Sequence, residues 1–218
     1  MFHVEHLKEK LFNACNQLDI NLDDAKAEKI LTYLFAMQKW NKVYNLTAIK
    51  NLDDMLIHHA IDSLSIIPVL AQSLKSGDLV LDVGSGGGLP GVIIAIMFPE
   101  VNVECVDAVE KKVTFIRQIA GTLKCHNLHA EHTRIENRQG EKAEVIISRA
   151  FASLEDFVFL IKDQKKVNGK VFAMKGIYPE KEIEDLKLKM GWKVKNNYEL
   201  NVPFLDAKRC LIELEEEL

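Results

Sequence analysis

Hydrophobic and polar positions follow two different patterns along this chain, and the pattern changes near residue 70. In residues 1–70, apolar side chains recur at helical spacing, for example at Leu7, Leu11, Ala14 and Leu18. A second helical stripe follows, and a third apolar segment is interrupted by a proline. We therefore predict that residues 1–70 form a helical extension whose apolar faces pack on the rest of the chain.

From about Gly77 onward, short apolar runs typical of strands alternate with segments of helical periodicity. Strands are predicted at Leu79–Val83, Val101–Asp107, Leu128–His132, Ala143–Ser148, Lys170–Met174, Trp192–Leu200 and Arg209–Glu215. This alternation indicates an α/β fold with a mostly parallel sheet covered by helices. The last two strands are separated by no helical pattern, so we expect a hairpin and an antiparallel last strand. Residues 71–218 are therefore predicted to form one Rossmann-like domain, with its ligand at the carboxyl ends of the strands.

The segment Leu79–Gly91 carries the strongest chemical signal, because an apolar strand ends there in an acidic residue and leads into a glycine cluster. Glycines let the backbone turn sharply and let a ligand approach the main chain. Pro90 suits the first turn of the helix that follows, and the N–H groups at the start of that helix are available to a ligand. The candidate cofactor-binding residues of this loop are Asp82, Gly84, Gly86, Gly88 and Leu89.

Two classes of cofactor fit such a loop. Gly86–Gly91 matches the G-x-G-x-x-G pattern of dinucleotide-binding folds. However, Asp82 lies two residues before the first glycine, and a carboxylate there suits the amino group of a methionine moiety better than a pyrophosphate. Asp107 ends the next predicted strand, where an acid would hold ribose hydroxyls in either class. The loop therefore favours S-adenosylmethionine and a class I methyltransferase, with a dinucleotide-dependent oxidoreductase as the alternative.

Composition adds limits on partners and location. The formal net charge of −4 argues against a surface coated with basic residues for nucleic acid, although a local basic face remains open. The chain shows no secretory signal, no apolar run of membrane-spanning length and no C-x-x-C pair among its four cysteines. We therefore expect a cytoplasmic protein without a membrane partner or a metal. His58, His59 and Asp62 are too few for a metal site and are expected to anchor the N-terminal helices at the rim of the active site.

Five segments of the chain occur in a familiar order: Trp40–Thr47, His59–Leu64, Asp82–Gly91, Ser148–Ala152 and Met174–Gly176. In this order they resemble the bacterial small-subunit ribosomal RNA guanine-N(7) methyltransferases, the RsmG or GidB family, over nearly the whole chain. The resemblance implies methyl transfer from S-adenosylmethionine to ring nitrogen 7 of one guanine of 16S ribosomal RNA, near the decoding centre. The implied partner is 16S ribosomal RNA or the small ribosomal subunit.

The residues after the predicted strand Ala143–Ser148 are compatible with that chemistry. Nitrogen 7 of guanine has a free lone pair at neutral pH, so catalysis needs positioning and charge stabilisation but no general base. Carbon methylation usually needs a cysteine nucleophile, and methylation of exocyclic amines typically uses an Asn/Asp-Pro-Pro-aromatic turn. Neither is present after this strand. A non-catalytic ribosome-assembly factor on the same fold is the alternative outside enzymes.

Arg149 follows the same strand and is the candidate catalytic residue. It could donate to the carbonyl oxygen of guanine, bind the cofactor, or form a salt bridge that stabilises the loop. In the resembled family the matching arginine contacts the cofactor. The adenine segment of that family matches Ile135 and Glu136, which we expect to contact the cofactor through the main chain.

Candidate RNA contacts come from one aromatic residue and three lysines. Phe151 could stack on a base, although an aromatic residue at this place is as often part of the core. Lys165, Lys166 and Lys175 could contact phosphates, although a solvated charged face is the commoner outcome for such residues.

Overall fold

A computed structural model describes residues 2–149, 151 and 153–217, and shows a seven-stranded sheet with helices packed on it. The strands are β1 (Leu79–Val83), β2 (Asn102–Asp107), β3 (Leu128–His132), β4 (Ala143–Arg149), β5 (Lys165–Lys175), β6 (Trp192–Leu200) and β7 (Arg209–Glu216). The helices are α1 (Phe2–Gln17), α2 (Asp24–Tyr44), α3 (Leu52–Met55), α4 (Asp62–Leu64), α5 (Ile67–Ala71), α6 (Gly91–Met97), α7 (Glu110–Leu123), α8 (Leu154–Ile161) and α9 (Glu180–Met190).

The strands lie in the order β3-β2-β1-β4-β5-β7-β6. The first five strands are parallel, and β7 runs antiparallel to both β5 and β6. The predicted α/β fold, with a mostly parallel sheet and an antiparallel last strand, is confirmed. Because β7 runs the other way, its first residues pair with the last residues of β5, Cys210 opposite Lys175. The start of β7 therefore lies at the edge where the parallel strands end.

Most residues of the central strands are buried and aliphatic, as expected of a parallel sheet covered on both faces. β5 begins five residues before the predicted start at Lys170, because Lys165 already pairs with Ala143 of β4. The register shifts between Ala143 and Val145, and the added residues of β5 are largely polar. A strand that starts in polar residues gives no apolar run, so the pattern of apolar residues did not predict the first part of β5.

The N-terminal helices form as their patterns predict. Asp23 caps α2 by accepting a hydrogen bond from the N–H of Lys26, at 2.7 Å. The apolar face of α1 is buried, with Leu7 and Leu11 at most 1% exposed. The same apolar cluster continues through α2 into the sheet, where it includes Val80. Since one core contains residues from both sides, the boundary near residue 70 stays a prediction.

The helical stretch Leu52–Ala71 differs from the expectation that no apolar run reaches membrane-spanning length. Its most apolar window has a mean hydropathy of 1.2, enough by length and composition to cross a membrane, but 67% of that window is buried inside the protein. This is the character of a core helix, which makes it weak evidence for a membrane span. The stretch is π-helical over Leu56–Ile61 and is interrupted just before α5, whose first turn contains Pro68.

Candidate active site

The loop after β1 is tied to the start of α6 by the carboxylate of Asp82. Asp82 is fully buried at the carboxyl end of β1, and its Oδ2 accepts a hydrogen bond from the N–H of Gly91 at 2.8 Å. The N–H of Gly84 donates to the carbonyl of Val106 on β2, also at 2.8 Å. The N–H of Gly91, the first residue of α6, is therefore already bonded to Asp82, and this bond joins both ends of the loop.

Three glycines of this loop adopt left-handed backbone conformations, with φ of +68° at Gly84, +58° at Gly86 and +95° at Gly88. They serve different purposes. A Cβ at Gly88 would lie 2.5 Å from Cγ2 of Val92, so this glycine permits close packing. A Cβ at Gly86 would meet nothing within 4 Å among the described residues. The backbone at Gly86 therefore faces open space that a ligand can enter.

Asp107 joins the end of β2 to the glycine loop. Its Oδ2 accepts a hydrogen bond from the N–H of Gly86 at 2.8 Å, and its Oδ1 accepts one from the N–H of Val109 at 2.9 Å. The Nζ of Lys112 lies 3.9 Å from Oδ2. Asp82 and Asp107, which end successive strands, therefore both accept hydrogen bonds from main-chain N–H groups of the segment 86–91.

A cavity of about 210 Å³, here called the Asp107 cavity, opens beside this loop. Its walls come from the ends of β1 and β2, the segment after β3 and the start of the chain that follows β4. It is lined by Val83, Gly84, Val106, Asp107, Ala108, Thr133, Arg134, Ile135, Glu136, Phe151 and Leu160. Four of the predicted cofactor-binding residues, Gly84, Asp107, Ile135 and Glu136, are therefore brought together. Phe151, predicted as an RNA contact, also lies here, with its ring centroid 5.2 Å from that of Phe157.

A second cavity of about 390 Å³, the Arg149 cavity, lies beyond β4 at the same edge of the sheet. Its lining comes from the ends of β4, β5 and β6, the start of β7 and the N-terminal helices. The lining residues are Ile49, His58, His59, Asp62, Arg149, Met174, Lys175, Gly176, Leu200, Arg209 and Cys210.

Asp62 organises the polar wall of the Arg149 cavity. Nη1 of Arg149 donates to Oδ2 of Asp62 at 3.2 Å and to the carbonyl of His58 at 3.0 Å. Nε of Arg209 donates to Oδ1 of the same carboxylate at 2.9 Å. Asp62 thus ties the N-terminal helices to β4 and β7 through two arginines, and Arg149 does form the salt bridge considered for it. Its contacts with a cofactor or with guanine stay predictions.

His59 is uncharged at neutral pH. Burial, assisted by the positive charge of Arg149, lowers its pKa to about 4. Its Nε2 lies 2.9 Å from Oγ1 of Thr47, which fixes the loop between α2 and α3 against the π-helical segment. Within the described part of the chain, no group of three or more His, Cys, Asp or Glu side chains is placed to hold a metal ion.

Several predicted site residues lie elsewhere or are already engaged. Leu89 is 3% exposed, packs in the apolar core and lines neither cavity. Lys165 and Lys166 begin β5 and therefore lie at the opposite edge of the sheet, where Lys166 pairs with Glu144. Lys175 lines the Arg149 cavity, but its Nζ is bound to Glu182 at 2.8 Å. Of the segment Ser148–Ala152, Ala150 and Ala152 lie outside the described residues.

Arg209 is the site residue that sequence reasoning missed. A usable signal existed, because the last strand was predicted to be antiparallel and to start at Arg209. A strand that runs antiparallel to the others begins at the edge of the sheet where the others end. The first residue of such a strand therefore lies at the edge that carries the glycine loop.

The charge state of Asp82 depends on its burial. Burial raises its pKa from 3.8 to about 7, against the opposing effect of the hydrogen bond from Gly91. Among the described residues, Oδ1 of Asp82 has no hydrogen-bond partner. Burial makes the charged form of this carboxylate less favourable, and its Oδ1 can accept one more hydrogen bond.

We expect Asp82→Asn to stabilise the fold above neutral pH. The unfolded chain loses the Asp82 proton near pH 3.8, whereas the folded chain keeps it to about 7. Stability of the wild type therefore falls as pH rises through this window, and the asparagine variant lacks that contribution. Urea unfolding at about pH 5 and about pH 8 measures the difference. A stability gain that is the same at both pH values would contradict the assignment.

The strand order, the acid at the end of β1, the glycine loop and the acid at the end of β2 define a class I methyltransferase fold. Solved structures support this. A SAM-dependent methyltransferase from Aquifex aeolicus aligns with a TM-score of 0.58 at 16% identity, over 74% of this chain and 92% of that chain. The ribosomal protein L11 methylase from Lactobacillus delbrueckii subsp. bulgaricus aligns with a TM-score of 0.56 at 13% identity, over 78% and 81%. At such identities the likeness shows the fold alone.

Sequence comparison gives the family. The family model described as rRNA small subunit methyltransferase G matches residues 26–212. A relative from Bordetella avium, named Ribosomal RNA small subunit methyltransferase G, is 49% identical over 206 residues, which are 94% of this chain and 91% of the relative. The chain belongs to the rRNA small subunit methyltransferase G family.

Proposed function

We propose that this protein transfers a methyl group from S-adenosylmethionine to ring nitrogen 7 of one guanine in 16S ribosomal RNA, near the decoding centre. Family membership supports methyl transfer to small-subunit ribosomal RNA, since that is what the names of the family and of its relatives state. The observation that carries the proposal is the pair of cavities at one edge of the sheet, one on each side of the β1–β4 junction. Ligands of open α/β sheets bind at this point of the topology.

The residues of the Asp107 cavity fit the proposed cofactor, together with Asp82 and Gly86 of the adjoining β1 end and glycine loop, which line neither cavity. The open space at Gly86 admits a ligand to the main chain, and the carboxylate of Asp107 can accept hydrogen bonds from ribose hydroxyls. Ile135 and Glu136 would flank the adenine. The unpartnered Oδ1 of Asp82, beside the same loop, suits the ammonium group of the methionine moiety. S-adenosylmethionine, when bound, supplies an electrophilic methyl group carried by a sulfonium sulfur.

The Arg149 cavity fits the acceptor base. Its volume of about 390 Å³ admits a purine, and a guanidinium is the group that pairs best with the O6 edge of guanine. The positive charge that develops on a methylated purine would be opposed by two bare arginines. Here the Asp62 carboxylate bonds both Arg149 and Arg209 and offsets one of their two positive charges. The chain would therefore orient the base and exclude water, and no side chain has to remove a proton.

The alternatives are not favoured. A dinucleotide-dependent oxidoreductase would belong to another family, and a non-catalytic assembly factor would not need an open glycine loop. An enzyme for ribosomal RNA works where ribosomes are assembled, so we place this protein in the cytoplasm, with 16S ribosomal RNA or the small subunit as its partner. The proposed RNA contacts of Lys165 and Lys166 require the RNA to reach the far edge of the sheet.

Calorimetry and a methylation assay test the proposal together. We expect S-adenosylmethionine and its demethylated product to bind, and NAD and FAD to show no binding. Small subunits and 16S ribosomal RNA from cells that lack this activity should accept one methyl group, located by mass spectrometry on nitrogen 7 of a guanine. The same substrates from cells that have the activity serve as the control. Binding of NAD with comparable affinity, or a methyl group on another atom, would refute the assignment.

A further inference from the structure

Helix α2 of the N-terminal extension contacts the glycine loop directly. The hydroxyl of Tyr33 donates a hydrogen bond to the carbonyl of Gly87 at 2.8 Å. Tyr33 is fully buried. One turn further along α2 lies Met37, and a Cβ at Gly87 would come within 2.9 Å of its Cε. The extension therefore packs against the loop at the residue next to Gly86, where an added Cβ would require the end of the Met37 side chain to shift.

The contact restrains the one residue of the glycine run whose backbone has no other hydrogen bond among the described residues. Gly86–Gly88 are three successive glycines, and such a sequence has more accessible backbone conformations than any other. The N–H of Gly86 donates to Asp107, and Gly88 is bonded through its N–H to the carbonyl of Ser85 and through its carbonyl to the N–H of Val92. The hydroxyl of Tyr33 supplies the bond at Gly87, next to the open face of Gly86.

The ring of Tyr33 is held independently of its hydroxyl. It packs in the main apolar core, with its centroid 6.1 Å from that of Phe115 on α7. The hydroxyl is therefore presented to the loop by a rigid ring on a long helix. Preorganisation of this kind improves binding by reducing the ordering that a ligand must impose.

We propose that Tyr33 is a positioning residue of the cofactor site, which holds the glycine loop in its binding conformation through the carbonyl of Gly87. The N-terminal extension is thus part of the cofactor site as well as a wall of the Arg149 cavity. This inference rests on the proposed use of S-adenosylmethionine.

The test is Tyr33→Phe, which removes the hydroxyl and keeps the ring. The dissociation constant of S-adenosylmethionine, measured by calorimetry, should rise about tenfold, the size expected from loss of one buried hydrogen bond. Amide hydrogen exchange in the loop should become faster, and KM for the RNA should not change. Tyr44→Phe is the matched control, because Tyr44 ends the same helix and is 42% exposed. It should bind the cofactor as the wild type does.

A second variant covers the case in which Tyr33→Phe is too unstable to measure. Gly87→Val places a branched side chain against Met37, more than a shift of the Met37 methyl group accommodates, and should displace the loop from α2 with a similar loss of cofactor affinity. Unchanged cofactor affinity in the folded variants would overturn the inference, even if their stability fell, because it would leave Tyr33 with a structural role only. If the wild type itself fails to bind S-adenosylmethionine, the proposed function fails instead, and the two failures are thus distinguishable.

Discussion

Replacing Gly86 by valine is expected to abolish binding of S-adenosylmethionine while the fold survives. Among the described residues nothing lies within 4 Å of a Cβ at this position, so the side chain starts out into open space. It would instead fill the space proposed for the cofactor. The backbone has φ of +58°, which costs a branched residue about 1–2 kcal/mol. We expect affinity to fall at least about 100-fold, equivalent to about 2.8 kcal/mol.

The chain offers a matched control for the strain. Gly191 follows α9 with φ of +65° and likewise has no atom of the described residues within 4 Å of a Cβ. It directly precedes Trp192, which pairs with Glu216 at the end of β7, so it lies at the opposite edge of the sheet from the glycine loop. Gly191→Val should therefore lose similar stability in urea unfolding and keep full cofactor affinity. If Gly86→Val binds the cofactor within about threefold of the wild type, the space at Gly86 is not the cofactor site.

Local patterns predicted the elements on which this site is built. Apolar runs identified β1 and β2, and the acids that end them are spaced by the length of one strand-helix unit. A glycine cluster between a strand and a helix can be recognised in the sequence, because the left-handed backbone conformations of such a loop favour glycine. The Asp107 cavity follows from these features, since all of them belong to consecutive segments of the chain.

Contacts between distant segments could not be predicted in this way. Arg149 and Asp62 are separated by 87 positions, and only the folded chain shows that they pair. Charge alone gave no indication that Lys165 lies at the far edge of the sheet, because its strand starts in polar residues. Met37 belongs to the second apolar helical stripe, which predicts that its side chain is packed, and it is buried in the main apolar core. That the packed surface is the glycine loop depends on tertiary structure.

The second large effect is expected at Arg149. Its Nη1 donates to both Asp62 and the carbonyl of His58, and among the described residues its other guanidinium nitrogen atoms have no hydrogen-bond partner at the cavity. A lysine keeps the charge, but a single ammonium cannot satisfy both of these acceptors and also present a planar fork to guanine. We therefore expect Arg149→Lys to lower the single-turnover rate about 100-fold, the loss expected when a reacting group is misplaced by about 1 Å.

Separate measurements of binding and rate decide what Arg149 does. If it orients the acceptor base, Arg149→Lys will keep the dissociation constant of S-adenosylmethionine and lose the rate, since the Asp107 cavity is built without it. If it holds the cofactor, as the family resemblance implies, affinity will fall and the rate at saturation will change little. Arg117→Lys is the control, because Arg117 lies on α7 and its Nε bonds the carbonyl of Ala130, away from both cavities. Wild-type affinity and rate in Arg149→Lys would show that its ion pair with Asp62 is purely structural.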